Sequence, residues 1–149
     1  MNLAEIARSL NLTLLTEPKD FINIEPAGGY TSDMLSCVLT GSTRQGLWIT
    51  LQAHGNIVAV AALLDLSAII ITENATPEPA TIAKANEKNV TLFSTQAGSF
   101  EIAGRLWSMG LRAVYILSIQ GSWDRTEHCR FCALICTFTQ SYLLAPISR

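Results

Sequence analysis

The side chains of this 149-residue chain best suited to chemistry fall in two places. His128, Cys129, Cys132 and Cys136 stand close together near the C-terminus. Thiolates and an imidazole are ligand types of zinc and iron–sulfur sites. Their spacing is irregular for either group and no second ligand pair accompanies them, so ordinary buried or surface thiols are the competing reading. The second place is His54, the one histidine before the tail. Its imidazole can titrate near neutrality, and with Thr50 or Asn56 it could serve a small enzyme acting on a phosphorylated or acyl substrate. No nucleophile–base pair is signalled around it, which favours a structural or ligand-contact role. The chain has no GxxxxGK[ST], GxGxxG or HExxH pattern, so nucleotide hydrolysis, dinucleotide redox chemistry and zinc peptidase activity lack their usual starting point. The expectation is no catalytic residue, no metal and no cofactor.

The elements that must position His54 are read from hydrophobic periodicity. GLWITLQ, AHG, NIVAVAALLDL and SAIIIT follow one another from Gly46 to Thr72, as a strand, a turn, an almost wholly apolar helix and a second strand. That is a βαβ unit with parallel strands. The helix over residues 56–64 has no polar face, so it is expected either between the sheet and another layer or against its copy in a second subunit. The unbroken apolar run at 67–71 suits a parallel strand covered on both faces.

Upstream, Leu3, Ile6, Ala7 and Leu10 predict a short helix capped by Asn2 and ended by Asn11. A strand is expected at 12–16, a turn at 17–19, a further short strand at Phe21, Ile22 and Ile24, and a turn at 27–30, with Gly28-Gly29 read as turn residues because no basic residue follows them. Thr31 or Ser32 then caps a helix through Met34, Leu35, Val38 and Leu39, with Asp33 in its first turn and Gly41 at its end. Downstream, a helix opens at Thr76-Pro77 and ends at Asn89, a strand covers 90–93, and Phe100, Ala103, Leu106 and Trp107 mark a last helix closed by Gly110. This alternation predicts a three-layer α/β domain with a mainly parallel sheet flanked by helices, over residues 1–111.

In such a sheet, ligands collect outside the carboxyl ends of the strands. The loops there carry Thr50, Gln52, His54, Gly55 and Asn56, then Thr72 and Asn74, then Ser94, Thr95 and Gln96. They are read as a ligand-contact rim, with plain N-caps and turn residues as the alternative. Residues 112–149 read as an extension. Residues 1–110 hold six basic and ten acidic side chains, whereas 111–149 hold four basic and two acidic. Within the extension, 114–119 suggest an edge strand, and Phe131, Leu134, Ile135, Phe138 and Tyr142 fit one helical stripe almost as well as a strand.

Composition narrows the classes. Charged residues make up 15% and hydrophobic residues 49%, an apolar surplus for a globular chain that points to surface buried in a homodimer. The formal net charge of −2 argues against nucleic acid. No apolar window is long enough for a membrane span, and the N-terminus lacks a signal-peptide pattern, so a cytoplasmic protein is expected.

Three runs carry a family likeness: GGYTSDMLSCVL (Gly28–Leu39), WITLQAHGNIVAVAALLDLSAIIIT (Trp48–Thr72) and ATIAKANEKNVTLFSTQAGSFEIAGRLWSMGL (Ala80–Leu111). Together they resemble the DRTGG domain, most closely its small stand-alone members. Related domains precede the catalytic part of HPr kinase/phosphorylase and occur in phosphotransacetylases and CBS-containing pyrophosphatases. The resemblance implies an α/β fold that tends to dimerise, and a regulatory or interaction module rather than an enzyme. The family's stand-alone members often accompany redox and signalling proteins, which suggests such a partner, and the ligand expected at the strand ends is a small nucleotide or phosphorylated molecule. The chain departs from the family pattern at Thr50, Leu51, Gln52, Ala53 and His54, where glycine-rich turns are usual. Asp124-Arg125-Thr126 echoes the family name outside the matched region.

Overall fold

The computed structural model describes residues 1–113. Ten elements follow in order: α1 (Leu3–Ser9), β1 (Thr13–Leu14), β2 (Gly29–Thr31), α2 (Leu35–Gly41), β3 (Leu47–Thr50), α3 (Asn56–Leu64), β4 (Ala68–Ile71), α4 (Pro79–Glu87), β5 (Leu92–Ser94) and α5 (Ser99–Ser108). The sheet runs β1-β5-β4-β3-β2, with β2 to β5 parallel and β1 antiparallel at one edge. The expected α/β architecture is the observed one.

The alternation along each strand divides the core into two layers. Trp48, Ile69, Ile71 and Leu92 pack against α2, α3 and α4 through Val38, Ile57, Val58, Val60, Ala61 and Ala85. Leu47, Ile49, Ala68, Ile70 and Phe93 face the other way, onto Leu3, Ile6 and Leu10 of α1 and Ile102 and Leu106 of α5. All four positions of β3 and all four of β4 are buried, as their unbroken apolar runs require.

Local chemistry accounts for the departures. α1 opens on a reciprocal capping box, the Asn2 side chain accepting from Glu5 N and the Glu5 carboxylate accepting from Asn2 N. The strand expected at 21–24 is a loop. The Asp20 carboxylate takes Ile22 N and Asn23 Nδ2, while Phe21 turns its ring onto Phe93 at 5.6 Å between centroids. Local side-chain bonding here displaces a ladder. Conversely, the edge strand β2 begins inside the turn expected at 27–30. Gly28 O accepts from Leu47 N at 2.7 Å, and Gly29 N donates outward to Arg112 O at 3.0 Å. A Cβ at Gly29 would lie 3.3 Å from Leu111 Cδ2, so glycine here permits that close approach.

Helix α2 is preceded by Met34, not by Thr31 or Ser32 as its cap, and no side chain caps it. α4 starts at Pro79 with Glu78 before it, two residues later than the Thr76-Pro77 start. α3 is not buried all round: Ile57, Val58, Val60 and Ala61 face inward, whereas Ala59, Ala62 and Leu63 face outward, Leu63 at 72% exposure. On α5 the inner stripe is Ile102 and Leu106, and Phe100 and Trp107 lie outside it. The strand suggested at 114–119, the stripe through Phe131 and Tyr142, and the His128, Cys129, Cys132 and Cys136 group lie outside the described residues. Among the described residues no helix is long and apolar enough to cross a membrane.

Candidate functional site

The parallel register lines up the strand exits. Thr31 pairs with Ile49, Thr50 with Ile71, and Ile71 with Ser94, so four loops leave on one edge. α2, α3 and α4 carry the chain back along one face and α5 lies on the other. All three crossovers thus lie on one face and the chain changes sides only after β5; the gathered strand exits are where open α/β sheets bind ligands.

All eight residues read as ligand contacts lie on or beside this edge, but their side chains do different things. Thr50 is 1% exposed; its hydroxyl donates to Asp33 Oδ1 at 2.8 Å and accepts from Gln52 N at 3.0 Å. Thr72, with no exposed surface, bonds Thr50 O through both its N (3.0 Å) and its hydroxyl (3.3 Å). It also shares a 2.6 Å hydrogen bond with Ser99 Oγ. These two threonines lock neighbouring strands and are committed inward. Thr95 is half committed, its hydroxyl accepting from Ala97 N and its carbonyl from Asn74 N. The Gly55 carbonyl accepts from Lys84 Nζ at 3.3 Å. His54 and Asn56 are exposed, and Gln52 and Ser94 half-buried, so these side chains are the ones free to meet an incoming molecule.

Asp33 and Ser99 belong to the rim although the sequence reading did not place them there. Asp33 lies outside the first turn of α2 and serves β3 instead, accepting from Thr50 Oγ1 and from Leu51 N, each at 2.8 Å. Trp48 holds that loop in place by donating its indole N–H to Ser32 O at 2.8 Å. Between β4 and β5 the loops are stitched by Glu73 N to Ala97 O and Asn74 N to Thr95 O, which puts Glu73 and Asn74 in the left-handed region, both at φ 57°.

The rim also displays large apolar side chains. Met34 after β2 is 57% exposed, Leu51 after β3 is 39%, and Phe100 after β5 is 94%. Phe100 and Trp107, which with Ala103 and Leu106 mark this helix in the sequence, are both exposed. The buried pair is Ile102 and Leu106, four apart, and the signal for it is the parallel pair Glu101 and Arg105, also four apart, on the wet side.

Two further clefts flank the sheet, the first running along the β2 edge as far as Thr31. One, of about 280 Å³, is lined by Tyr30, Ile49, Leu106, Trp107 and Leu111, with the Arg112 guanidinium stacked 4.4 Å over Trp107. The other, of about 290 Å³, opens at the opposite end of the strands among Lys19, Glu25, Asp65 and Asn89. Burial pushes the Lys19 ammonium below its ordinary value against the pull of Glu17, and its amine donates to Asn89 O at 2.9 Å. Among the described residues no group of three or more His, Cys, Asp and Glu could hold a metal, and Cys37 is a half-buried free thiol.

Comparison with known proteins adds three findings. A family model for the DRTGG domain matches residues 33–109. Among solved structures, the chain is similar to the CBS and DRTGG domains of the regulatory region of Clostridium perfringens pyrophosphatase, a structure complexed with its activator, diadenosine tetraphosphate. The identity is 20% and the TM-score 0.57, over 89% of this chain and 59% of that one. No curated protein matches.

Proposed function

The chain belongs to the DRTGG domain family, and on that premise we propose that it is a non-catalytic regulatory module that recognises a binding partner along the strand-end rim. The observation carrying this reading is the division of labour at the rim. The hydroxyls of Thr50 and Thr72 are bound inward, whereas Met34, Leu51 and Phe100 face water. A site built for proton transfer needs a base within reach of a nucleophile. The His54 ring has no side-chain hydrogen bond among the described residues. The rival enzyme reading, with His54 acting beside Thr50 or Asn56, is tested by His54→Ala. The expected outcome is an unchanged fold and unchanged binding.

A second reading puts a nucleotide-type small molecule on the same edge, contacted by Gln52, His54, Gly55, Asn56, Ser94 and Thr95, with Thr50 and Thr72, committed inward, holding the loops behind them. It is favoured by the activator bound to the similar regulatory region. Titrating the chain with diadenosine tetraphosphate while following thermal unfolding tests it, because a ligand bound only by the folded state must raise the midpoint. A rise accompanied by shifts of the rim amides supports a ligand; an unmoved midpoint at millimolar ligand leaves partner docking. The outward face of α3, with Ala59, Ala62 and Leu63 exposed, is proposed as a homodimer contact. Sedimentation equilibrium of the parent chain and Leu63→Asp tests it: dimer to monomer is expected, and a monomeric parent removes it.

A further inference from the structure

We infer that the rim docks a basic, amphipathic helical segment of a partner protein. The inference rests on the partner-docking reading above and names the chemistry of that partner.

Single exposed apolar side chains are ordinary on protein surfaces. Here three of them leave from three different strand exits on one edge, and the outermost, Phe100, is 94% exposed on the first turn of α5. An aromatic ring so displayed offers large contact area at low entropic cost, which is what interface anchors do. The exits of β2 to β5 span three strand spacings, about 14 Å. A helix of about ten residues covers that distance at 1.5 Å per residue.

Charge selects the occupant. The segments around the exits, residues 32–38, 51–59, 72–82 and 95–102, contain Asp33, Glu73, Glu78 and Glu101 and no lysine or arginine. Glu101 has Arg105 at 3.6 Å. Asp33, Glu73 and Glu78 have no cationic partner among the described residues. Lys84, which reaches the rim from α4, donates to the Gly55 carbonyl at 3.3 Å. An anionic partner would meet three carboxylates without a cationic partner among the described residues, against one lysine already bonded to a backbone carbonyl. A partner presenting Lys or Arg beside an apolar stripe is complementary in both respects, and such a helix laid across a surface is a recurring recognition mode.

The test uses the ¹⁵N-labelled full chain and three synthetic twelve-residue peptides. One has leucine and lysine at helical spacing, the second replaces each lysine by glutamate, and the third replaces each leucine by serine. The first is expected to move amides near Met34, Leu51, Glu73 and Phe100 and to weaken severalfold as salt rises through the range where the Debye length shortens to about 8 Å. The other two are expected not to bind. Phe100→Ala is expected to weaken binding about tenfold, Glu73→Gln with Glu78→Gln severalfold, and Asp65→Asn at the opposite edge not at all. Equal binding of the glutamate peptide, shifts centred on Lys19 and Asn89, or indifference to Phe100→Ala would overturn the inference. If no peptide binds but diadenosine tetraphosphate moves the rim amides, the basic partner is wrong and the rim reading stands. If neither touches those amides, both fail. A parent chain that sediments as a dimer and becomes monomeric with Phe100→Ala would make the rim a self-interface and remove the inference.

Discussion

The two ends of the parallel sheet offer water quite different surfaces. At the carboxyl end, the exit segments of β2 to β5 carry carboxylates and exposed Met34, Leu51 and Phe100, and Lys84 reaches in from α4 to the Gly55 carbonyl. At the amino end, Lys19, Arg44 and Lys88 mingle with Glu17, Asp20, Glu25 and Asp65. There the returns from α2, α3 and α4 each contain one left-handed residue, Gln45, Asp65 and Asn89. Side chains at that end are chosen largely by the backbone, since a helix that must stop and feed a strand needs a residue tolerant of positive φ. Loops at the carboxyl end are freed from that demand except at Glu73 and Asn74. The contrast teaches where selection for recognition has room to act: where the chain enters helices, not where it leaves them.

The largest expected effect comes from removing what both ends share. Trp48 is fully buried between the sheet and α2 to α4. Trp48→Ala should cost about 3–5 kcal/mol in urea unfolding and erase the contrast with the fold. Trp48→Phe keeps most of the packing and loses the indole bond to Ser32 O, a loss of about 1–2 kcal/mol. Its amide shifts should concentrate at the carboxyl end, which sharpens the comparison. The two aspartates give the next step. Asp33→Ala removes acceptors from Thr50 Oγ1 and Leu51 N and should cost about 1–2 kcal/mol. Asp65→Gly relieves a left-handed residue at φ 52° and should gain up to about 1 kcal/mol. Opposite signs for these two aspartates, one an acceptor for its neighbours and the other a strained cap, are the signature, and equal losses would break it. Glu73→Gly, the left-handed site at the carboxyl end, should gain a similar or smaller amount, again read from the urea midpoint.

Those variants also mark what the sequence disclosed. The βαβ core was legible because Leu47–Thr50 and Ala68–Ile71 are unbroken apolar runs and their burial on both faces leaves one solution. β2 was hidden because Gly29 reads as a turn residue, and only the approach of Leu111 and Arg112 from far along the chain gives it a reason to lie flat. The position of the rim was legible and its composition was not. Thr50 and Thr72 read as available, yet cross-strand bonds consume them, and Phe100 reads as apolar at helical spacing from Ala103 and Trp107, whereas the covered pair is Ile102 and Leu106. α3 misled in the same way: residue type is apolar all round, but only the side turned to β3 and β4 is covered.

The smallest expected effect belongs to the amino end and depends on pH. Burial of Lys19 disfavours its charged form and lowers its pKa from 10.5, with Glu17 pulling the other way. Below the lowered folded value both states carry the proton and the desolvation cost is fully present. Between that value and 10.5 the unfolded chain holds more protons than the folded one, so stability rises with pH. Above the unfolded value both are neutral and the cost is gone, while the amine still donates to Asn89 O. Urea midpoints of the parent chain relative to Lys19→Gln should therefore climb as pH rises through this window, and the exposed carboxyl-end variant Glu78→Gln should not reproduce the slope. Added salt screens Glu17 and weakens the one opposing influence, so the climb should begin at lower pH in high salt. A flat difference at both salt concentrations would mean that Lys19 is solvated like any surface lysine and that the amino-end cleft imposes no burial on it.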